Sequence, residues 1–462
     1  MSNAANPPPP PPPPSQPPAR PIAEIFYSLG IPKSVLNFRP RLPSRNWLIF
    51  FSVTGSVLGA YVYDRRQCRL IRDSYKQRVA HLALEPLGSN DFPRKVTVYA
   101  CRPPGDEEYQ RAMKYFRKYV KPIFVAAAVD YDIENGNRYG ALSAAIADKI
   151  KARRRIAAGI DPGLNPIPIP NQLTPAQRLA REVEGGIVII GRHTFKEFLY
   201  GTKEGWTGSL ERIDEDEELS QELSLDGVFD EPADDDDDPI SGRTTIVNSP
   251  TIPQLLPQLL LQPRKPQKSV VPSHLDVPPA VIPQQAPLLL VPFSNVLGFR
   301  NIPWMMMDFF NERKRVQAGA EAAFQLIQAH TRPFDSSPGH DLDFNIEQEN
   351  EYLKDFDSLP DSVAKSRREY YEGLTKKIAI ARELARGTRA PTKEETANPP
   401  PTEVELRAQR LDKEKRWREQ LRGWAILRAG VPPAWDERLE GAFRVYIPPD
   451  NEAGKPVRDV QH

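Results

Sequence analysis

Cysteine is nearly absent. The 462 residues hold two, Cys68 and Cys101. No Cys-x-x-Cys pair and no Cys/His cluster occurs, which excludes a disulfide framework and a structural zinc site. The six histidines (His81, His193, His274, His330, His340 and His462) are scattered without ligand spacing. Neither sign of charge dominates: 62 Lys and Arg face 61 Asp and Glu, a formal net charge of +1. That balance gives no electrostatic footprint for nucleic acid, and no nucleic-acid partner is expected. G-x-G-x-x-G and G-x-x-x-x-G-K-[ST] are both missing after every candidate strand, so neither common nucleotide cradle is present. The residues assign no catalytic, metal or cofactor-binding group, and no cofactor is expected. Long apolar runs are also lacking, with one exception.

Proline is in excess, with 50 residues, or about one in nine against a usual usage near 5%. Proline breaks helices and central strands, so a single compact globule of full length is excluded. Several strongly apolar, periodic segments equally exclude a wholly disordered chain. The prolines cluster in residues 1–44 (including the run Pro7–Pro14), in 161–170, in 250–287 and near 390–401. Between these clusters lies room for a discontinuous folded domain. The Pro7–Pro14 run has the composition of polyproline II, as a solvated tail or a ligand for a proline-binding domain.

The exceptional apolar run is Trp47–Tyr63, WLIFFSVTGSVLGAYVY, which carries no charge. At about 1.5 Å per residue it reaches roughly 25 Å, the short end of a membrane span. Trp47 at one end and Tyr61 and Tyr63 at the other match an interfacial aromatic belt, and arginines bracket both ends. These flanks favour a transmembrane helix over residues 45–64 rather than a buried core helix. Gly55 and Gly59 form a G-x-x-x-G extended by Ser52, Ser56 and Ala60, a face that lets a partner helix approach closely. Orientation stays open on charge alone. Four basic residues precede the run within fifteen positions and six follow it, a weak asymmetry. Residues 65–84 are basic, with Leu70, Ile71, Tyr75, Val79 and Leu82 at helical spacing. Such a helix continues the span, lies on the lipid surface against anionic headgroups, or is simply solvated.

An α/β pattern occupies 95–210. Lys95–Pro103 is a buried strand. Asp106–Lys121 is a helix with acids at its start and Met113, Phe116 and Val120 as its apolar stripe. Val125–Ile133 reads as a second strand, Ala141–Arg155 and Pro175–Glu184 as helices, and Gly185–Ile190 as a third strand. This succession predicts an α/β fold: a doubly wound parallel sheet behind a single N-terminal transmembrane helix. Function in such sheets gathers at the carboxyl ends of the strands, here Arg102–Gly105 and Gly191–Thr194.

Residues 211–286 contain the acidic runs Asp214–Glu218 and Asp234–Asp238 and then a Pro, Gln and Leu-rich stretch, the composition of a disordered insert. Thr244–Ser249 is a candidate short strand within it. Order is expected to return over 287–330, with a strand at Leu288 and an amphipathic helix from about Arg313. Between them Trp304, Met305, Met306, Met307, Phe309 and Phe310 cluster, as a flexible binding surface or, more often for such a stretch, as core packing. Residues 340–447 hold two charged helices, Ser362–Arg386 and Glu403–Arg428, and a last strand at Ala442–Ile447. Residues 448–462 are a tail.

Two resemblances follow from these blocks. The proline-rich head, NWLIFFSVTGSVLGAYVYDRRQ, KVTVYACRPPGDEEYQRAMKYFRKYVKPIFVAAAVDYDI and VPFSNVLGFRNIPWMMMDFFNERKRV resemble the fungal Tim-family subunit (about 54 kDa) of the mitochondrial inner-membrane carrier translocase. That resemblance implies a single-pass inner-membrane protein with most of its chain in the intermembrane space. It also implies a scaffold role in inserting multispanning carrier proteins, beside a pore-forming subunit, the small intermembrane-space chaperones, carrier-protein substrates and membrane lipids. The order of α/β segments also resembles the diacylglycerol and acylglycerol lipid kinases. In those, a strand ends in Gly-Gly-Asp-Gly-Thr ahead of a helix. Here IVIIGRHTFKEF retains Gly191 and Thr194, with Arg192 in place of the aspartate and His193 in place of a glycine. Phosphoryl transfer needs room for phosphates and a neutralising metal, so the resemblance implies a degenerate, non-catalytic loop. The alternative is a membrane-anchored lipid kinase acting on an acylglycerol-type headgroup.

Overall fold

A computed structural model describes residues 44–88, 93–105, 108, 110–161, 175–212, 214–230, 271–294, 299–349 and 356–448. The Pro7–Pro14 run, the Asp234–Asp238 run, the candidate strand Thr244–Ser249 and nearly all of the 161–170 insert lie outside them. The chain divides into two compact units, Met1–Tyr63 and Asp64–His462.

Helix α1 runs unbroken over Arg45–Val79. Its apolar part is exposed along its length. Among the described residues it belongs to the one helix long and apolar enough to cross a membrane. The basic helix expected at 65–84 is thus the direct continuation of the apolar run. From Asp64 onward one face of α1 is buried, through Asp64, Cys68, Tyr75 and Val79, at the spacing that a 3.6-residue period places on one side. Ile71 and Leu82 pack at its margin, while Leu70 points outward.

Six strands form the sheet of the second unit: β1 (Lys95–Cys101), β2 (Asp130–Gly136), β3 (Ile187–Ile190), β4 (Leu288–Val291), β5 (Thr331–Pro333) and β6 (Arg444–Tyr446). Their order is β2-β1-β3-β4-β6-β5, all parallel except the edge strand β5. Val98 is in register with Val188, Ile189 with Leu290, and Leu288 with Val445. Side chains alternate across the sheet and seed two cores. On one face Val96, Val98, Ala100, Val188, Ile190 and Leu289 pack against α1, against helical residues 111–126 (α2) and against α8 (Glu312–Gln328). On the other, Tyr99, Cys101, Ile189 and Leu288 meet α3 (Ala141–Ala157) and α5 (Gly191–Thr207), while α4 (Pro175–Gly185) leads into β3. Helices on both faces of a mainly parallel sheet make the expected doubly wound architecture.

Three local features differ from expectation. Residues 125–128 end a helix instead of opening a strand. The alanines favour helix, α2 runs on through Ala126, and the chain then turns at Ala128 (φ 53°) so that β2 starts at Asp130. Within α2, Phe116–Val120 is a π-helical turn, and it lets Phe116, Tyr119 and Val120 all face the core. The acidic run Asp214–Glu218 opens a helix, α6 (Glu215–Leu225), capped by the Asp214 carboxylate, which accepts from the amides of Asp216 and Glu217. Of the segment that follows, Val271, Ile282 and Ala286 are buried.

α6 belongs to a helical layer with α9 (Leu359–Arg386) and α10 (Glu403–Leu427), the two C-terminal helices the charge pattern predicted. Leu374, Ile378, Ala381 and Leu406 form its core with Phe229. Lys415, Arg418 and Arg422 of α10 pair with Asp216, Glu222 and Glu215 of α6, at 2.5, 2.7 and 3.0 Å. Arg410 is buried and pairs with Asp226. It also donates to the Leu223 carbonyl at 3.1 Å and to the Tyr371 hydroxyl at 3.0 Å. The acidic residues therefore find their counter-charges about 200 positions downstream.

Candidate functional site

The carboxyl end of β3 is the position a phosphate loop would take. Here no loop intervenes. Gly191, at φ 80°, is already the first residue of α5, so Gly191, Arg192, His193 and Thr194 form that helix's first turn. All four are buried. A Cβ on Gly191 would sit 2.7 Å from the His193 ring, so the imidazole occupies the space beside the glycine.

Each side chain there is committed inside the protein. Arg192 pairs through Nε with Glu349 and donates from its terminal nitrogen to the carbonyls of Leu342 (3.0 Å) and Phe344 (2.9 Å). Lys196, one turn on, reaches Glu349 at 2.7 Å and the Arg428 carbonyl at 3.2 Å. Burial holds the Lys196 ammonium below its usual range, and the Glu349 carboxylate works against that. Thr194 donates to the Ile190 carbonyl (2.7 Å) and accepts from the Cys101 amide (3.2 Å). His193 lies edge-on to Phe293, its Nε2 has no hydrogen-bond partner among the described residues, and burial pushes its pKa down to about 4.

Glu197, fully buried behind this turn, accepts from the amides of Gly140 (3.0 Å), Leu142 (3.1 Å) and Ser143 (3.4 Å) at the start of α3. Burial raises its pKa to about 7 against the opposing pull of those donors. The same burial, with Glu197 nearby, pushes the Cys101 thiol well up. Among the described residues no group of three or more His, Cys, Asp or Glu is placed to hold a metal ion. The turn is thus packed with the chain's own cations and imidazole. Arg192 was legible as a departure from the kinase-like pattern. Its partner Glu349, 157 positions away, was not.

A second feature lies on the other side of the sheet. Trp304, Met305, Met306, Met307, Phe309 and Phe310 form most of a separate helix, α7 (Ile302–Phe310), and the core packing expected for them is not found. No residue of α7 is buried: Trp304 is 63% exposed, Met306 58% and Phe309 52%. Pro303 sets the helix start, where its missing N–H costs nothing. The junction of α7 with α8 is fastened to the first residues of the second unit. The Asp64 carboxylate accepts from the Arg313 amide (3.3 Å), Arg65 pairs with Glu312, and the Arg65 guanidinium lies 5.5 Å from the Phe309 ring centre. A cleft of about 490 Å³ runs from Met305 and Phe309 to Arg65, Arg111, Lys114, Lys118 and Arg315. Sequence reasoning missed this basic rim, although α2 carries the visible signal R-x-x-K-x-x-x-K.

In α1, Gly55 and Gly59 stand on the exposed apolar part. A Cβ on either would meet no described atom within 4 Å.

Comparison with known proteins supplies the family. The model of Tim54, described as inner membrane protein import complex subunit Tim54, matches residues 23–387. A mitochondrial import inner membrane translocase subunit TIM54 of Cryptococcus neoformans is 38% identical over 433 residues, which cover 92% of this chain and 94% of the relative. The corresponding subunit of Aspergillus oryzae is 32% identical over 64% of this chain and 68% of its own length. That of Schizosaccharomyces pombe is 30% identical over 68% and 86%. With a span-length apolar helix leading into a doubly wound domain, and with the family model covering most of its length, this chain belongs to the Tim54 family of mitochondrial inner-membrane import translocase subunits.

Proposed function

We propose that the chain is a non-catalytic scaffold subunit of the translocase that inserts multispanning carrier proteins. It is anchored by the 45–64 span, with the Asp64–His462 unit in the intermembrane space. There it stabilises the complex beside a pore-forming subunit and docks the small chaperones that deliver carrier substrates. The observation that carries the non-catalytic reading is the Arg192–Glu349–Lys196 cluster. Phosphoryl transfer requires open backbone donors and a metal to neutralise charge. Here the corresponding turn is closed by internal ion pairs, and an arginine stands where the kinase-like pattern has an acid. The relatives' names, all of them import translocase subunits, support a role in mitochondrial import.

Affinity purification of the tagged full-length chain from mild detergent tests this reading. The pore-forming subunit and small chaperones should copurify. ATP turnover by the same preparation with acylglycerol-containing micelles should stay at background. Robust turnover that is lost in His193→Asp would replace the scaffold with the lipid-kinase alternative. Protease added to mitochondria with ruptured outer membranes should digest the domain, and full protection would place it on the matrix side.

A further inference from the structure

We propose that α7 is an interfacial helix. Its Trp304–Phe309 surface seats in the headgroup layer of an anionic phospholipid membrane, and Arg65, Arg111, Lys114, Lys118 and Arg315 around the adjoining cleft meet lipid phosphates. The proposal rests on the reading of the apolar run as a membrane span.

Three observations converge on a lipid surface as the occupant. The first is chemistry. Exposed contiguous apolar surface of this kind marks an interaction site, and a tryptophan beside methionines and phenylalanines is the composition favoured at a membrane boundary. The second is charge. The cleft that touches Met305 and Phe309 carries five cations. They share three carboxylates, Arg65 and Lys118 with Glu312, Arg111 and Lys114 with Glu108, and Arg315 with Asp308, so two positive charges stay in excess. Burial first, then Arg65, Arg72 and Arg315, lower the Lys118 ammonium below its usual range. An apolar helix rimmed by excess positive charge complements acyl chains beneath anionic phosphates.

The third is position along the chain. Tyr63 ends the apolar run, and Asp64 is the next residue of the same helix, about 1.5 Å further along. The Asp64 and Arg65 side chains hold the α7–α8 junction. Nine residues of helix extend only about 14 Å, so α7 is tethered close to Asp64 and Arg65, the residues that directly follow the apolar run in sequence. A helix seats its apolar face about 5–10 Å into the boundary layer, which that tether allows. A protein surface or a second copy of the chain would need no such tether to the residues that follow the apolar run.

The test uses the full-length chain in nanodiscs. Cys68 and Cys101 are both buried, so a cysteine introduced at the surface can be labelled selectively. Met306→Cys, Val57→Cys in the span and Val404→Cys on the distant α10 each receive an environment-sensitive fluorophore. The nanodiscs contain phosphatidylglycerol and a fraction of spin-labelled lipid. The labels at 57 and 306 should lose most of their fluorescence to the lipid quencher, and the label at 404 should keep it. Neutral lipid, or Lys114→Gln with Lys118→Gln, should weaken quenching at 306 while leaving 57 unchanged. Each lysine removed should lower the seated-to-free ratio about fivefold at low salt. If 57 is quenched and 306 is as bright as 404, α7 does not seat in lipid and the proposal falls while the span stands. If 306 is shielded from aqueous quencher only in the purified complex, the occupant is a protein. If 57 is also unquenched, the span reading fails with it. Quenching at 306 that ignores lipid charge removes the phosphate half of the proposal.

Discussion

Replacing Glu197 with glutamine should change how the first turn of α3 responds to pH. The carboxylate is completely buried and accepts three amide hydrogen bonds from Gly140, Leu142 and Ser143. Those donors favour the ionised form, but burial outweighs them and sets the pKa at about 7 instead of 4.5. A raised carboxyl pKa means that the folded state holds the proton more tightly than the unfolded chain. Its contribution to stability is therefore fully present below about pH 4.5 and is lost as pH rises through about 7. At about 1.4 kcal/mol per pH unit, that interval corresponds to about 3 kcal/mol. The local readout is hydrogen exchange of the 140–144 amides in the purified full-length chain, corrected for the intrinsic pH dependence of exchange. Protection in the parent protein should fall between pH 4.5 and 7 and level off above that. Glu197→Gln cannot titrate, so its protection should be flat over the same interval. Glu197→Ala leaves the donors unsatisfied at every pH and should cost about 3 kcal/mol throughout. Parent protection that does not change across this range, or a Gln variant that follows the parent's slope, would refute the assignment.

His193 should act in the opposite sense. Its pKa is depressed to about 4 by burial, so stability is present above about pH 6.5 and is lost toward pH 4, by about 3 kcal/mol. A His193→Phe variant should lose that acid sensitivity in a denaturant titration at pH 4.5. Gly55→Leu with Gly59→Leu should weaken copurification of partner spans without altering the melting of the Asp64–His462 unit, because a Cβ at either position meets no described atom within 4 Å. Unchanged recovery of the complex would count against helix pairing there. Arg410→Ala removes the buried partner of Asp226 together with the bonds to Leu223 and Tyr371. It should destabilise the helical layer by about 3 kcal/mol and open α6 to limited proteolysis, and a proteolysis pattern like the parent's would contradict the role given to Arg410.

What the sequence made legible follows from the range of the interactions involved. α9 and α10 were readable to within a few residues, because their signals are local. Gly387 stops α9 at φ 70°, and Thr402 and Glu405 form a capping box at the start of α10. β1 and β3 were readable as short buried β-branched runs. β5 was missed because three residues, one of them proline, carry no alternation, and pairing to β6 alone defines it. α7 was missed as a helix of its own because an apolar run broken only by Asp308 has no period to detect. The acidic run of α6 was misjudged because its lysine and arginine partners lie on α10. The same limit applies at the β3–α5 turn: the sequence located Gly191–Thr194, but the glutamate that closes the turn comes from a remote segment.

The order in which the sheet is assembled has a consequence for how this domain matures. β4, in the middle of the sheet, has β6 as its outer neighbour, and β6 lies at residues 444–446. β5 cannot extend the sheet until β6 is in place, because β6 is its partner. A chain emerging from its N-terminus therefore carries an open strand edge until residues 444–446 arrive, and pairing across such sequence distances is slow. A premature stop just ahead of Arg444 would leave the apolar run intact and the sheet unfinished. The product would be a membrane-tethered protein with an unprotected edge, inclined to pair with whatever strand lies near it.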